Sequence, residues 1–350
     1  MNFKEVIKIA FAFVGVVVGA GFATGQEIMQ FFTVHGNLSF LTVMVTGIVL
    51  TITAISVLIA GFNIKSNTYK AGLKYYFSNT LLVKFYDILL TIFILLLALI
   101  MSAGGISTLQ RFFNFPITYS ALLFILFIGV TLLFRFDFIV KVLGGITPFL
   151  IVLVLVVALY SILSNEGSSH INFVKKGWLF DGINYGSLQI IAAFSFLFIL
   201  GGNTKSKKDL SYGGLLGGVI ITFLLMMINI LLLLNYDSIK SSELPSLDIA
   251  FQVSPIIGKA FALMMLFVIY NTVVSFIYAF ITRFSTPRSS KYYMLILLIL
   301  VAVYFVSMMQ FSHLVANVFP IMGYLSLVLV LFIVIKIFKN IIVWLYPRNE

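Results

Sequence analysis

The chain has no cysteine, three histidines and only 9% charged residues in a length of 350. Without cysteine there is no disulfide, no thiolate metal site and no thiol nucleophile. The histidines (His35, His170 and His313) are scattered and lack metal-ligand spacing. No phosphate loop, His-Glu-x-x-His or nucleophile elbow is present. These absences leave little material for an enzyme, and no resident cofactor is expected. Long polar runs are missing too, so no separate soluble domain fits.

What the chain has in excess is apolar side chains, 61% of the total, with a mean hydropathy of +1.15. Runs of about 20 apolar residues read as membrane-spanning helices. They are continuous rather than alternating with period two, which excludes an outer-membrane barrel. The first run, opened by Lys4 and Lys8, mimics a signal peptide. A carboxylate closes it and further spans follow at once, so it reads as a retained first helix. Ten spans fit, at about 6–32, 38–62, 81–104, 118–134, 138–163, 186–203, 213–235, 256–282, 292–309 and 315–338. The fold class is therefore all-α and polytopic.

Net charge is +11. With the N-terminus in the cytoplasm, Arg111, Lys175, Lys176, Lys240 and Lys259 fall outside, and the other 17 of the 22 basic residues fall inside. Positive charge on the cytoplasmic side is the general rule. The basic excess thus marks topology rather than a nucleic-acid surface, with both termini cytoplasmic. Phenylalanine-, isoleucine- and lysine-rich usage hints at an AT-rich bacterial source, so the expected location is a bacterial cell membrane.

Within span 1, Val14 to Ile28 holds four glycines (Gly15, Gly19, Gly21, Gly25), followed at once by Gln26 and Glu27. Each glycine lowers the cost of leaving helical geometry by about 1 kcal/mol relative to Ala. A carboxylate at membrane depth costs about 2.5 kcal/mol or more, so it faces a polar interior. Together these predict a broken helix lining a solute site near mid-membrane. A close-packed helix interface is the other reading of the glycines alone.

Ten spans divide into halves of five, 1–163 and 186–338. An odd number per half inverts the second half, as in inverted-repeat transporters. Span 6, the counterpart of span 1, is short. It carries Ala192-Ala193-Phe194-Ser195-Phe196 in its middle and Gly201-Gly202-Asn203 at its end, and is expected to be broken as well. The outer loop 236–255 contains Ser241 to Gln252, where Pro245 suits the first turn of a short helix. That helix is either a lid over the outer vestibule or an ordinary amphipathic loop.

On span 8, Asn271, Thr272, Ser275 and Tyr278 recur at spacings of three and four and share one stripe. A polar stripe in an apolar span faces protein or water. Its hydroxyls, with unwound backbone carbonyls, are the hard oxygen ligands an alkali cation needs; interhelical hydrogen bonding is the other use for them. Asp87 is expected to pair with Lys84, Lys141 to snorkel, and Pro148 and Pro320 to kink their helices. Phe31-Phe32, Trp178, Trp344 and Tyr346 suit interfacial anchoring.

Gly15-x-x-Val18-Gly19-x-Gly21 resembles the unwound part of the first helix in sodium-coupled transporters of the LeuT type. The run Gly19-Ala-Gly-Phe-Ala-Thr-Gly-Gln-Glu27 is similar to the YkvI-type membrane proteins, a branch of the amino acid–polyamine–organocation superfamily. Length and span number match over the whole chain, while the specific motif is confined to span 1. The resemblance implies a five-plus-five inverted repeat with substrate between broken helices 1 and 6 and helices 3 and 8. It also implies a sodium site built from the carbonyls of Gly15 and Val18 with Thr272 and Ser275. Two departures stand out: Thr272 and Ser275 are three apart where the family's hydroxyls are adjacent, and Phe22 replaces the asparagine of a second sodium site.

The expectation is a secondary active transporter of a small organic solute, an amino acid or related zwitterion, coupled to Na⁺ or H⁺. Backbone amides from Gly19, Ala20 and Gly21 to Gly25 would receive a carboxylate at a half-helix N-terminus. Gln26, Phe194, Ser195 and Asn271 would orient the solute. Glu27 is either the solute's cationic partner or the carrier of the coupling proton. A passive permease or channel, and a membrane sensor that binds without moving its solute, are the alternatives. The expected partners are the solute and the lipid bilayer, with no nucleic acid.

Overall fold

A computed structural model describes residues 1–66, 68–133, 147–164 and 175–345. His170, Arg135, Lys141, Tyr346, Arg348 and the start of the expected span 5 lie outside the described residues. Among the described residues the chain is helical, with no strand. Span 1 is three pieces, α1 (Phe3–Val17), α2 (Ala20–Thr24) and α3 (Gln26–Phe31), and a 3-10 turn at Thr33–Leu38 follows. Then come α4 (Ser39–Ile64), α5 (Tyr69–Tyr76), α6 (Thr80–Phe113), α7 (Ile117–Leu133), α8 (Thr147–Ser164), α9 (Trp178–Gly202) and α10 (Lys207–Leu234). The chain closes with α11 (Tyr236–Ile239), α12 (Pro245–Val253), α13 (Pro255–Ile281), α14 (Ser290–Ser307) and α15 (Phe311–Leu345). Seven of these helices are long and apolar enough to cross a membrane, and α7 and α8 are shorter apolar helices. With the segmented first stretch they fall along the chain within the stretches expected to span, among the described residues.

Several expectations about the helices are corrected. Span 6 is not broken: α9 runs without interruption from Trp178 to Gly202. The reason is local, because Ala192 to Phe196 contains neither glycine nor proline, and alanine is the best helix former. The helix also starts eight residues earlier than expected, at Trp178, with Gly177 in the left-handed conformation (φ 96°) ahead of it and Asp181 in the first turn. A carboxylate there complements the helix dipole. Asp87, for its part, ignores Lys84 and binds α5, through Lys70 Nζ at 2.7 Å and the Tyr69 hydroxyl at 2.5 Å. Pro148 is the second residue of α8, where proline is tolerated, while Pro320 lies inside the helical run of α15.

The helices sort into two groups. In the first, α1, α4, α9 and α10 pack chiefly on one another. Their backbones touch where a side chain is missing: a Cβ on Gly61 would lie 2.0 Å from the Phe198 carbonyl oxygen, and one on Gly201 would lie 2.0 Å from that of Leu58. Gly218 and Gly47 receive the Thr51 and Thr222 side chains in the same way. Small residues allow such close approach of helices in lipid. The second group is α6, α7, α13 and α14, with Phe124 and Ile269 meeting over Gly105. The region between the two groups holds the site.

Candidate functional site

The first group meets the second at the break in span 1. Helix α1 stops at Val17; Val18 (ψ 80°) and Gly19 (φ −108°, ψ −156°) are non-helical. A second interruption falls at Gly25, whose φ of 77° is the left-handed region that favours glycine. The Ser246 hydroxyl of α12 sits over that glycine, 2.3 Å from where a Cβ would be. Unwinding frees acceptors. Val18 N–H donates to Val14 O at 2.7 Å and Gly19 N–H to Val17 O at 3.0 Å. Among the described residues no backbone N–H serves the carbonyls of Gly15 and Val18.

Glu27 is the second residue of α3 and is 5% exposed. Its carboxylate bends back over Gly21, so that a Cβ on Gly21 would lie 1.4 Å from Oε1. Glycine at 21 is therefore what makes room for the acid. From α9, the Tyr185 hydroxyl donates to Oε2 at 3.0 Å and Gln189 Nε2 donates to the same oxygen at 3.3 Å. Tyr185 is itself fixed between Phe31 and Phe32, whose rings lie 5.2 and 4.9 Å away.

Glu27 faces a cavity of about 590 Å³. It is lined by the break of span 1, by Leu188, Gln189, Ala192 and Phe196 of α9, by Leu97 and Met101 of α6, by Asn271, Thr272, Ser275 and Phe276 of α13, and by Phe319 of α15. Of the residues singled out from sequence, Gly15, Gly19, Gly21, Glu27, Asn271, Thr272 and Ser275 come together on its wall. Thr272 Oγ1 donates to Val268 O of its own helix at 2.9 Å, and Asn271 Oδ1 is buried with no partner.

The others lie elsewhere. Val18 faces a small apolar void with Phe22, Ala23 and Val154. Ala20 contributes backbone to α2. Gly25 meets the α12 serine, and Gln26 is fully buried with neither amide atom partnered. Neighbouring residues on a helix point about 100° apart, so Gln26 and Glu27 do not share a face. The same periodicity explains Phe194 and Ser195: the cavity face of α9 reads Leu188, Gln189, Ala192 and Phe196. Phe194 instead points to Tyr76 and Phe198, with ring centroids at 6.2 and 6.3 Å. Sequence reasoning missed Tyr185 and Gln189. The available signal was two polar residues four apart in an apolar run, obscured by starting span 6 at residue 186.

One end of the cavity is open and the other is shut. Gly15 is exposed, and no atom lies within 4 Å of a Cβ built on Gly15 or Gly19. This open end is on the side from which α1 enters. At the other end α12 covers the break, with Ser246, Leu247, Ile249 and Ala250 buried. It is fastened to the end of α6: Arg111 Nε lies 3.0 Å from Asp248 Oδ1, the guanidinium sits 5.1 Å from the centre of the Phe251 ring, and Ser107 donates to Glu243 at 2.9 Å. Pro245 occupies the first turn of α12, as its sequence position predicts.

A broken first helix crossing against α6 and α13, and a cavity at that crossing closed at one end, define a membrane protein of the LeuT-type fold. No family model matches the chain. It is similar over nearly its whole length to the membrane protein YkvI of Bacillus subtilis, at 25% identity over 329 residues, 91% of this chain and 92% of the relative. It is similar also to YyaD of the same organism, at 25% identity over 338 residues, 94% of this chain and 96% of the relative. Among solved structures, MhsT in complex with L-phenylalanine superposes with a TM-score of 0.62 at 16% identity, covering 91% of this chain and 87% of MhsT. The manganese transporter of Eremococcus coleocola gives 0.56 at 15% identity, covering 98% and 89%. At these identities the solved structures establish the fold.

Proposed function

We propose that the chain is a secondary active transporter that moves a small amine-bearing organic solute, an amino acid or related zwitterion, by alternating access. The observation that carries this reading is the cavity between two helix groups, flanked at one end by the exposed Gly15 of α1 and at the other by α12, which is seated on the break of span 1 at Gly25. A channel needs both ends open at once, whereas a carrier exposes its site to one side at a time. The ligand named in the MhsT structure is an amino acid, L-phenylalanine, and the cavity of about 590 Å³ has room for one. The named cargo of the Eremococcus protein is manganese, but among the described residues no three His, Cys, Asp or Glu side chains converge to hold a metal ion. That favours the organic solute.

Coupling to Na⁺ or H⁺ is part of the proposal. The unserved carbonyls of Gly15 and Val18, with Thr272 and Ser275, supply oxygen ligands for sodium; Glu27 is the proton carrier in the other scheme. The excess of basic residues on the side from which α1 enters supports a cytoplasmic location for the open end. The test is uptake into vesicles containing the purified chain, driven by a sodium gradient or by a pH gradient, with pooled amino acids and amines. Saturable uptake that rises with either gradient supports the proposal. Flux that neither saturates nor responds to any gradient removes it and leaves a passive pore.

A further inference from the structure

We propose that the cavity reads its solute through an ammonium group alone, seated on Glu27, and that the solute needs no carboxylate. This rests on the transport reading above and narrows its substrate class to amines with an apolar body. Three features of the wall carry it.

The first is charge. Glu27 is the one ionisable acid on the cavity wall among the described residues, and no Lys, Arg or His accompanies it. A solute carboxylate would enter a site with no cationic side chain to pair with it, and an unpaired charge away from water is strongly disfavoured. An ammonium finds its counter-charge in place.

The second is the pattern of filled and empty acceptors. Tyr185 and Gln189 both donate to Glu27 Oε2, which fixes the carboxylate and leaves Oε1, over Gly21, without a donor among the described residues. That free carboxylate oxygen calls for a group rich in donors. An ammonium has three N–H bonds and accepts none.

The third is the rest of the lining. Phe22, Met101, Leu188, Phe196 and Phe319 offer apolar and aromatic surface, beside the neutral side chains of Gln189, Asn271, Thr272 and Ser275. Such a surface suits a hydrocarbon or aromatic body, and the ring faces themselves attract a cation. The backbone amides at the break of span 1 are the one alternative seat for a carboxylate, so the test varies the head group and holds the body constant.

The probes are 2-phenylethylamine, L-phenylalanine and 3-phenylpropionate, which share a ring and differ in carrying an ammonium, both groups, or a carboxylate. Thermal unfolding of the full purified chain in detergent is followed with each, because a ligand that binds only the folded state raises the melting temperature. The expected result is a rise with the amine at least as large as with the amino acid, none with the acid, and loss of the amine's rise in Glu27→Gln. The unliganded melting temperature of Glu27→Gln shows whether it folds; the wild-type comparison stands without it. A rise with the amino acid and none with the amine overturns the ammonium seat while transport stands. No rise with any of the three also overturns it. The transport reading falls only if saturable uptake of the wider solute pool is absent as well.

Discussion

Spans 1 and 6 occupy corresponding places in the two halves of the chain, yet one is broken twice and the other runs intact through 25 residues. Span 1 has its glycines inside the membrane segment, at 15, 19, 21 and 25. Span 6 has its glycines at the ends, Gly182 and Gly186 near the start and Gly201 and Gly202 at the finish. The difference is one of role. The broken helix exposes backbone and carries the acid; the intact one holds that acid in place through Tyr185 and Gln189, four residues and about one turn apart. A fixed donor pair works best on a rigid element, and an unbroken helix supplies one.

This contrast can be broken most severely in α9. Ala193→Pro removes a backbone donor in mid-helix and should cost about 3 kcal/mol or more, read as loss of folded material in thermal unfolding. A melting temperature close to wild type would mean that span 6 has a break there after all. Gly201→Val places atoms against the Leu58 carbonyl, and overpacking of this kind costs about 1–3 kcal/mol. An unchanged melting curve for it would deny that α4 and α9 are locked together.

A smaller effect on stability, and a larger one on solute, is expected of Gly21→Ala. Its methyl claims the place of Glu27 Oε1, so the carboxylate is pushed off the position that Tyr185 and Gln189 fix. Solute affinity should fall by tenfold or more, about 1.4 kcal/mol, measured by equilibrium binding; full affinity would separate Gly21 from the acid's placement. Least disturbing is Gly15→Ala. Open space surrounds that position on the helical side of the break, and replacing glycine by alanine in a helix gains up to about 1 kcal/mol. A slight rise in melting temperature is the expected outcome, and a fall would place hidden packing at the mouth of the cavity.

The break in span 1 was legible because glycines and a carboxylate inside an apolar run are a local signal. So were most of the long apolar helices and the short helix after Pro245. The supposed break in span 6 was inferred from its place in the repeat rather than from its own residues, and the alanines of that stretch argued against it. Partnership was harder to see. Tyr185 and Glu27 are 158 residues apart, and nothing local in either segment names the other. The adjacent pair Gln26-Glu27 shows a further limit: sequence marks both as out of place in lipid, but only the rotation of α3 decides which one meets the cavity.

The docking of Ser246 onto Gly25 turns the chain's lack of cysteine into a tool. With no native thiol to block, Ser246→Cys carries one sulfhydryl in the seam between α12 and the broken helix. A thiol reagent that does not cross membranes can reach it only while the seam is parted. Its labelling rate then clocks how often that side opens, and a solute that drives the cycle toward opening should announce itself as faster modification, without any transported molecule being counted.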